Sequence, residues 1–203
     1  MNTRDLIEIK RIENNFYVLD DDTYCCVIEV KGVQFFLMDS ESQQIIINQF
    51  QGLLNALDFQ IQFLIMTRKT ELSEYLEYLK SFRGKQSNDL LKIQFEDYFE
   101  FINSLIKESN IMKRSFYIII TLKPEELGAA GVIKKDKERE ILNLLFQRVD
   151  IILRSLEPMG VEPKIVEGDN LLNFLYNCYN PNIFYVEKAD TIKKFFEILK
   201  NQK

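Results

Sequence analysis

The chain has 203 residues, of which 46% are hydrophobic and 28% are charged, the balance of a globular protein that can bury a core. Its net charge of −5 argues against a general polyanion binder, because nonspecific affinity for nucleic acid comes chiefly from Lys and Arg. The absence of histidine removes the commonest general base at neutral pH and the commonest zinc ligand, and many enzyme classes with them.

The three cysteines are predicted to be buried, reduced and structural. Cys25 and Cys26 are adjacent in an apolar, strand-like run, and Cys178 lies far along the chain. These thiols alone cannot complete a tetrahedral metal site, and free Cys is among the most buried residue types. Reduced cysteines are typical of a cytosolic protein.

The first half of the chain predicts a β-meander followed by a helix and a strand. Strands are expected over 6–12, 15–19 and 24–38, separated by polar turns that include Asp20-Asp21-Asp22. Ser40 and Gln43 have the spacing of a capping box, and apolar residues then recur at helical period over 41–56. Alternating polar and apolar residues predict a strand over 59–67 with one face better buried than the other.

The second half alternates helices with strands. Helices are expected from a cap at Thr70 to Gly84 and over 88–110, followed by a strand over 116–122 and a loop to residue 132. A long helix over 134–157, a strand over 161–166 and a helix over 169–179 come next. Residues 183–186 are expected to be extended, and 191–200 to be a short helix.

This order of elements predicts an α+β (α/β) two-layer sandwich, in which helices cover a mixed sheet with an antiparallel opening. We expect one core, to which Phe50, Leu54, Phe63, Ile119 and Leu145 all contribute.

Three stretches of packing residues carry a resemblance to a known family. They are the paired strands of 16–19 and 24–35 and the run over 50–62, with weaker matches at 114–117 and 171–181. Over residues 12–181 the chain resembles the N-terminal domain of TraC-type conjugation ATPases, the energising subunits of type IV secretion systems. The resemblance implies a TraC-like domain over 1–182 and a C-terminal extension over 183–203, with the ATPase half of the family missing.

No nucleotide-binding motif accompanies that resemblance. Gly84-Lys85-Gln86 is the one Gly-Lys pair, but Leu79 stands where a phosphate-binding loop needs its first glycine and Gln86 where it needs a hydroxyl. We therefore expect no enzymatic activity, no catalytic residue, no cofactor and no metal site. The aspartates of 20–22 are interpreted as a hairpin turn that satisfies its own backbone, with a cation site as the alternative.

Two clusters are candidates for contacts with a partner. Lys134, Lys135, Lys137 and Arg139 can contact an anionic partner, although intervening acids favour a salt-bridged surface. The stripe of Ile192, Phe195, Phe196 and Leu199 is interpreted as a docking face, with folding back onto the domain as the alternative. The helix over 88–110 is apolar around much of its girth, which favours burial of two faces over one face kept for a partner.

The resemblance implies a noncatalytic interaction module of a conjugation or type IV secretion apparatus. We expect docking to the secretion ATPase or to inner-membrane subunits, with self-association left open and nucleic acid disfavoured. The alternative is a nucleic-acid-binding accessory protein of the DNA transfer machinery. No apolar stretch approaches the roughly 20 residues that cross a bilayer, so we expect no membrane-spanning segment. The resemblance implies a bacterial, cytoplasmic protein that can lie at the inner face of the membrane.

Overall fold

The computed structural model describes residues 8–69, 73–85, 88–108, 112–127 and 134–180. The strands in this part of the chain are β1 Ile9–Ile12, β2 Tyr17–Leu19, β3 Tyr24–Lys31, β4 Ile61–Lys69, β5 Met112–Leu122 and β6 Glu162–Ile165. The α-helices there are α1 Ser40–Ala56, α2 Ser73–Lys80, α3 Asp89–Glu108, α4 Lys134–Leu156 and α5 Asp169–Tyr179. The expected α+β class is confirmed.

The described strands form one six-stranded antiparallel sheet, not the mixed sheet that the alternating elements suggested. Its order is β1-β2-β3-β5-β4, and β6 pairs with the second half of β3. Each crossover helix skips a strand: α1 joins β3 to β4 across β5, and α4 joins β5 to β6 across β3. These are split β-α-β units in a ferredoxin-like arrangement, so the hydrogen-bonded neighbours remain antiparallel.

The main core lies between the sheet and α4. Along α4 the side chains of Ile141, Leu145, Val149, Ile152 and Leu156 are buried at helical spacing. They pack on alternate residues of β3 and β5, among them Ile28 and Ile120. The amphipathic pattern predicted for this helix is therefore confirmed.

The opposite face of the sheet is covered in part by α5, which the two-layer expectation did not include. Phe174 of α5 packs on Tyr117 of β5 with ring centroids 4.7 Å apart. Burial on both faces explains why five successive residues of β3, from Tyr24 to Ile28, are all buried.

The start of α1 differs in detail from the expected capping box. The strand expected over 24–38 ends at Lys31, and Phe35–Leu37 form a 3₁₀ turn. Asp39, not Ser40, caps the helix, because its carboxylate accepts a hydrogen bond from the Ser42 N–H at 2.9 Å. The Gln43 side chain donates instead to the carbonyls of Phe35 and Met38.

The described residues fall into two compact units. The first comprises 8–66, 115–127 and 134–180, and the second comprises 67–69, 73–85, 88–108 and 112–114. In the second unit α2 and α3 pack together, with the hydroxyls of Tyr75 and Tyr98 2.9 Å apart and Arg83 donating two hydrogen bonds to Glu96. The domain boundary expected after residue 182 lies outside the described residues.

A candidate docking groove on the sheet

An apolar pocket of about 400 Å³ opens on the sheet within the first unit. It is bounded by α1, by β4 and β5, and by the segments that follow β3 and α4. Its floor is made of buried or half-buried side chains, and its rim is made of exposed ones. The floor includes Val30, Ile118, Leu156 and Met159, and the rim includes Phe50, Phe63, Ile65 and Phe116. We call this feature the groove.

The strand register explains why these side chains share one face. Val30 of β3 lies opposite Phe116 of β5, and Ile28 lies opposite Ile118. Successive strand side chains alternate between faces, so this set faces the same side as the core residues of β3 and β5. On β4, Phe63 meets Phe50 of α1 with ring centroids 6.3 Å apart.

The rim is far more exposed than the sequence predicted. Phe63 and Ile65 are 53% and 61% exposed, and Phe50 and Leu54 of α1 are also exposed. The single core expected from Phe50, Leu54, Phe63, Ile119 and Leu145 is therefore wrong in all but Leu145. In α1 only Leu53 is buried, and Ile119 is buried outside the main cluster because Ile118 and Ile120 occupy the α4 side.

The groove can bind by apolar burial. Its lining residues are aliphatic, aromatic, methionine or glycine, and Tyr117, which carries the one side-chain hydroxyl among them, packs its ring on Phe174 of α5. Fully burying an exposed Leu, Ile or Phe side chain contributes about 1.5–3 kcal/mol. A partner that covers several rim residues would therefore gain a useful affinity.

The chain matches a known protein family over most of its length. The family described as archaeal TraC-like domain matches residues 10–162. The chain belongs to this family. The family indicates a role associated with conjugation or secretion, and every lining residue of the groove lies inside the matched span. Its description is archaeal, so the expected bacterial origin is not confirmed.

The TraC-like domain also has a weak similarity to curated proteins of a different description. Luc7-like protein 3 of Homo sapiens and Luc7-like protein 3 of Bos taurus are each 22% identical to it over 114 residues. The match covers 55% of this chain, and the chain spans about a quarter of the length of these relatives, 26%. A similarity at this level does not place the chain among them.

A second exposed apolar surface lies on α3 of the TraC-like domain. Leu90, Ile93 and Phe101, three or more residues apart on the helix, are 71%, 60% and 58% exposed. Burial of two faces of this helix was expected, and within the described residues this face is not buried. Specific binding sites are usually concave, so this exposed stripe on a helix is a weaker candidate for such a site than the groove.

The basic cluster predicted as an anion contact begins α4. Lys137 is half-buried and Arg139 is exposed, while the side chains of Lys134 and Lys135 lie outside the described part. Between them Glu138 forms an ion pair with Arg11 of β1. That pair agrees with the salt-bridged surface that the alternating charges favoured, and the role of the four basic residues stays a prediction.

The acidic turn satisfies its own backbone, as predicted. The Asp21 carboxylate accepts a hydrogen bond from the Thr23 N–H at 3.0 Å, and bonds from Thr23 hold the pKa of Asp21 below its ordinary value. Asp22 has a left-handed backbone (φ 61°) and pairs with Lys10 at 2.5 Å. Among the described residues no group of three or more His, Cys, Asp and Glu side chains is arranged to hold a metal ion.

The cysteines divide into two classes. Cys25 and Cys26 are buried, and burial raises the pKa of each thiol to about 12. Cys178 is exposed on α5, so the expectation that all three are buried is wrong for this residue. Position 178 lies near the end of an amphipathic helix, where the sequence pattern does not separate a covered side chain from a bare one.

The predicted docking stripe of Ile192, Phe195, Phe196 and Leu199 lies outside the described residues and stays a prediction. Where the chain is described, no helix is long and apolar enough to cross a membrane.

Proposed function

We propose that this TraC-like domain is a noncatalytic interaction module that docks onto an ATPase subunit, or onto the inner-membrane platform, of a conjugation or type IV secretion apparatus. The groove is the observation that carries the proposal. It combines a preformed apolar floor with exposed aromatic and aliphatic rim residues, the chemistry that anchors protein partners.

The position of β4 adds to the support. It ends the described sheet order, so its rim residues Phe63 and Ile65 sit on an edge strand. Sheet edges with apolar side chains are ready binding sites for other chains unless charges protect them. The β4 side chains on the rim of the groove, Phe63 and Ile65, are apolar, while Arg68 and Lys69 come only at the end of the strand.

The position of the Gly84-Lys85 pair relative to helix α2 supports a noncatalytic role. A phosphate-binding loop leads into the N-terminus of a helix, where backbone N–H groups converge. Gly84 instead follows the C-terminal end of α2, with a left-handed φ of 81° that closes the turn. At the C-terminal end of a helix, the backbone groups without an intrahelical hydrogen-bond partner are carbonyls and not N–H groups. This end therefore does not present the N–H groups that a phosphate-binding loop needs.

A matched pair of variants on β4 tests the proposal. Ile65→Lys places a charge on the rim of the groove, whereas Gln62→Lys places the same charge on the opposite face of the same strand. Lysine is well tolerated on edge strands, so both variants are expected to fold. The purified ATPase subunit of the same apparatus and, separately, its inner-membrane subunit in detergent are offered to each immobilised protein.

We expect the unchanged chain to bind one of the two subunits. Ile65→Lys should weaken that binding at least about tenfold, because a buried unpaired charge is costly, and Gln62→Lys should leave it unchanged. Binding of neither subunit, or equal weakening by both variants, would contradict the proposal. Tight binding of DNA that weakens steeply with salt would favour the nucleic-acid alternative instead.

A further inference from the structure

We propose that in the free protein β4 pairs with the β4 strand of a second copy of this chain, in a two-fold symmetric dimer whose apolar contact is made by β4 and α1. The dimer goes beyond the proposed function and does not depend on it. The second copy covers Ile65 on the rim of the groove, so it also competes with a docking partner, and this competition does rest on the proposed function.

The outer edge of β4 has the features of a strand that accepts another strand. Within the part of the chain that the structure describes, β4 has β5 on one side and no strand on the other. An edge strand carries a row of backbone N–H and C=O groups with which a further strand can pair, and proteins often protect such edges with charged side chains or proline. Residues 61–67 contain no charged residue and no proline. This edge is therefore open to another strand.

A second copy of the same strand fits this edge because antiparallel pairing is self-complementary. Under a two-fold axis the same residues approach from both copies in opposite directions. Phe63 and Ile65 lie on one face of β4, so an axis near residue 64 brings Phe63 of each copy beside Ile65 of the other. An axis near residue 68 is disfavoured, since it would place Arg68 opposite Arg68. The charges therefore favour a register centred on the apolar residues.

Helix α1 adds an apolar stripe on the β4 side. Phe50 of α1 meets Phe63 of β4 with ring centroids 6.3 Å apart. Ile47 and Leu54 lie three residues before and four residues after Phe50, on the same side of the helix, and all three side chains are exposed. Pairing of the β4 strands therefore brings the stripes of the two α1 helices toward each other.

The exposed apolar area at this edge matches what a stable dimer needs. Ile47, Phe50, Leu54, Phe63 and Ile65 are between 38% and 61% exposed. With about 150–250 Å² for a large apolar side chain, they expose roughly 350–600 Å² per copy. A standard protein interface buries about 800 Å² per partner, of which about 57%, or roughly 450 Å², is apolar. A second copy can therefore cover this surface as a whole interface of ordinary size.

Sedimentation equilibrium of the 203-residue chain without any partner tests the dimer. We expect twice the 24.1 kDa mass of one chain within the range of about 1–100 µM, because interfaces of this size give micromolar or lower dissociation constants. Ile65→Lys should raise the dissociation constant at least about tenfold, since it places two like charges near the axis. Leu90→Lys, on the exposed stripe of α3, is the matched control and should leave it unchanged.

A second variant keeps the test decisive if Ile65→Lys disturbs folding, which the exchange of the α4 amides of 145–153 reports. Leu54→Lys changes an exposed residue of α1, so it is expected to leave the fold intact. It should weaken the dimer as Ile65→Lys does, because it places a charge in the stripe of α1.

Spin labels locate the contact. Gln62→Cys in a Cys178→Ser background carries one label per chain, because Cys25 and Cys26 are buried. Paired strands lie about 5 Å apart and rise about 3.4 Å per residue, so an axis near residue 64 places the two labelled positions about 15 Å apart. With the length of the label linkers added, we expect a distance between the two nitroxides below about 30 Å.

A mass of one chain throughout the concentration range would overturn the proposal, and so would a dimer that neither Ile65→Lys nor Leu54→Lys weakens. A dimer that Leu90→Lys weakens more strongly would place the contact on α3, and a longer nitroxide distance would place it away from β4; both results would overturn it too. Because no secretion subunit is present, these outcomes are independent of partner docking.

Competition has its own readout. Leu54 does not line the groove, so Leu54→Lys should bind the ATPase subunit several-fold more tightly than the unchanged chain at concentrations where that chain is a dimer. Unchanged affinity would contradict competition between the second copy and the partner, while the dimer itself would stand on the mass and distance measurements.

Discussion

Cys25 and Cys26 are adjacent in β3, and their side chains point to opposite faces of the sheet. Both are buried, because α4 packs on one face and α5 on the other. The Cys25 thiol donates to the carbonyl of Thr23 and the Cys26 thiol to that of Asn15. A thiol whose pKa is about 12 carries almost no thiolate at neutral pH, and the thiolate is the reactive species.

We expect a thiol reagent to modify Cys178 alone in the native protein. Titration with a chromophoric disulfide at pH 8 should give one fast equivalent, and the other two should react only in denaturant. The variant Cys178→Ser should abolish the fast phase. Two or more fast equivalents in the unchanged chain would mean that β3 is not covered on both faces.

Alkaline pH should destabilise the fold through the same thiols. An unfolded cysteine loses its proton near pH 9, whereas Cys25 and Cys26 keep theirs to about pH 12 in the folded state. The folded protein therefore binds more protons in this window, so stability is full below pH 9 and falls as the pH rises toward 12. Each thiol contributes at most about 1.4 kcal/mol per pH unit.

Urea unfolding at pH 8, 9.5 and 11 measures this slope, and a Cys25→Ala/Cys26→Ala double variant is the control. The double variant should lose less stability between pH 8 and 11 than the unchanged chain does. Equal losses would show that the thiols are not protonated in the folded state over this range. Tyr17, whose pKa burial also raises, contributes in the same direction in both proteins.

At the scale of elements, α4 holds the main core together. Leu145 is 0% exposed and lies midway along the buried face of this helix. Leu145→Ala should lower the free energy of unfolding by about 2–5 kcal/mol, the usual cost of deleting a buried Leu side chain. The matched change Leu54→Ala, at a residue of α1 that is 43% exposed, should cost about 1 kcal/mol or less.

Denaturant melts of both variants check this prediction. A loss below about half a kilocalorie for Leu145→Ala would mean that α4 does not pack through this face. A larger loss for Leu54→Ala would place the core under α1 instead.

Most elements of the described chain were predictable because local signals and packing agree there. Helix α5 has the predicted bounds, and α4 differs from its prediction by one residue at its C-terminal end. Beyond Lys31 the local signals conflict. Val33 and Phe35 continue the alternation that is typical of a strand, but Gly32 follows the last residue of β3 and the chain turns into the 3₁₀ segment. The antiparallel order was not predictable either, because local patterns do not say which strand a crossover skips.

At the scale of the whole molecule, the groove was the part that sequence could not locate. Phe50 and Phe63 have the same apolar character and spacing as core residues, so the sequence pattern assigns them to the core. Their exposure depends on how far α1 extends over β4 and β5, which is a property of tertiary packing. The family and the absence of a phosphate-binding loop were readable from the sequence, because both depend on local residue patterns.

The central claim is that partner docking takes place at the groove, and site-specific photocrosslinking tests it most directly. A photoreactive phenylalanine derivative is placed at position 65 on the rim, at 62 on the opposite face of β4, and at 93 on the exposed stripe of α3. After irradiation with the purified ATPase subunit or inner-membrane subunit, we predict a crosslinked product from position 65 and little from positions 62 and 93. Crosslinking from position 62 or 93 with none from 65, by a protein that still binds its partner, would contradict the account.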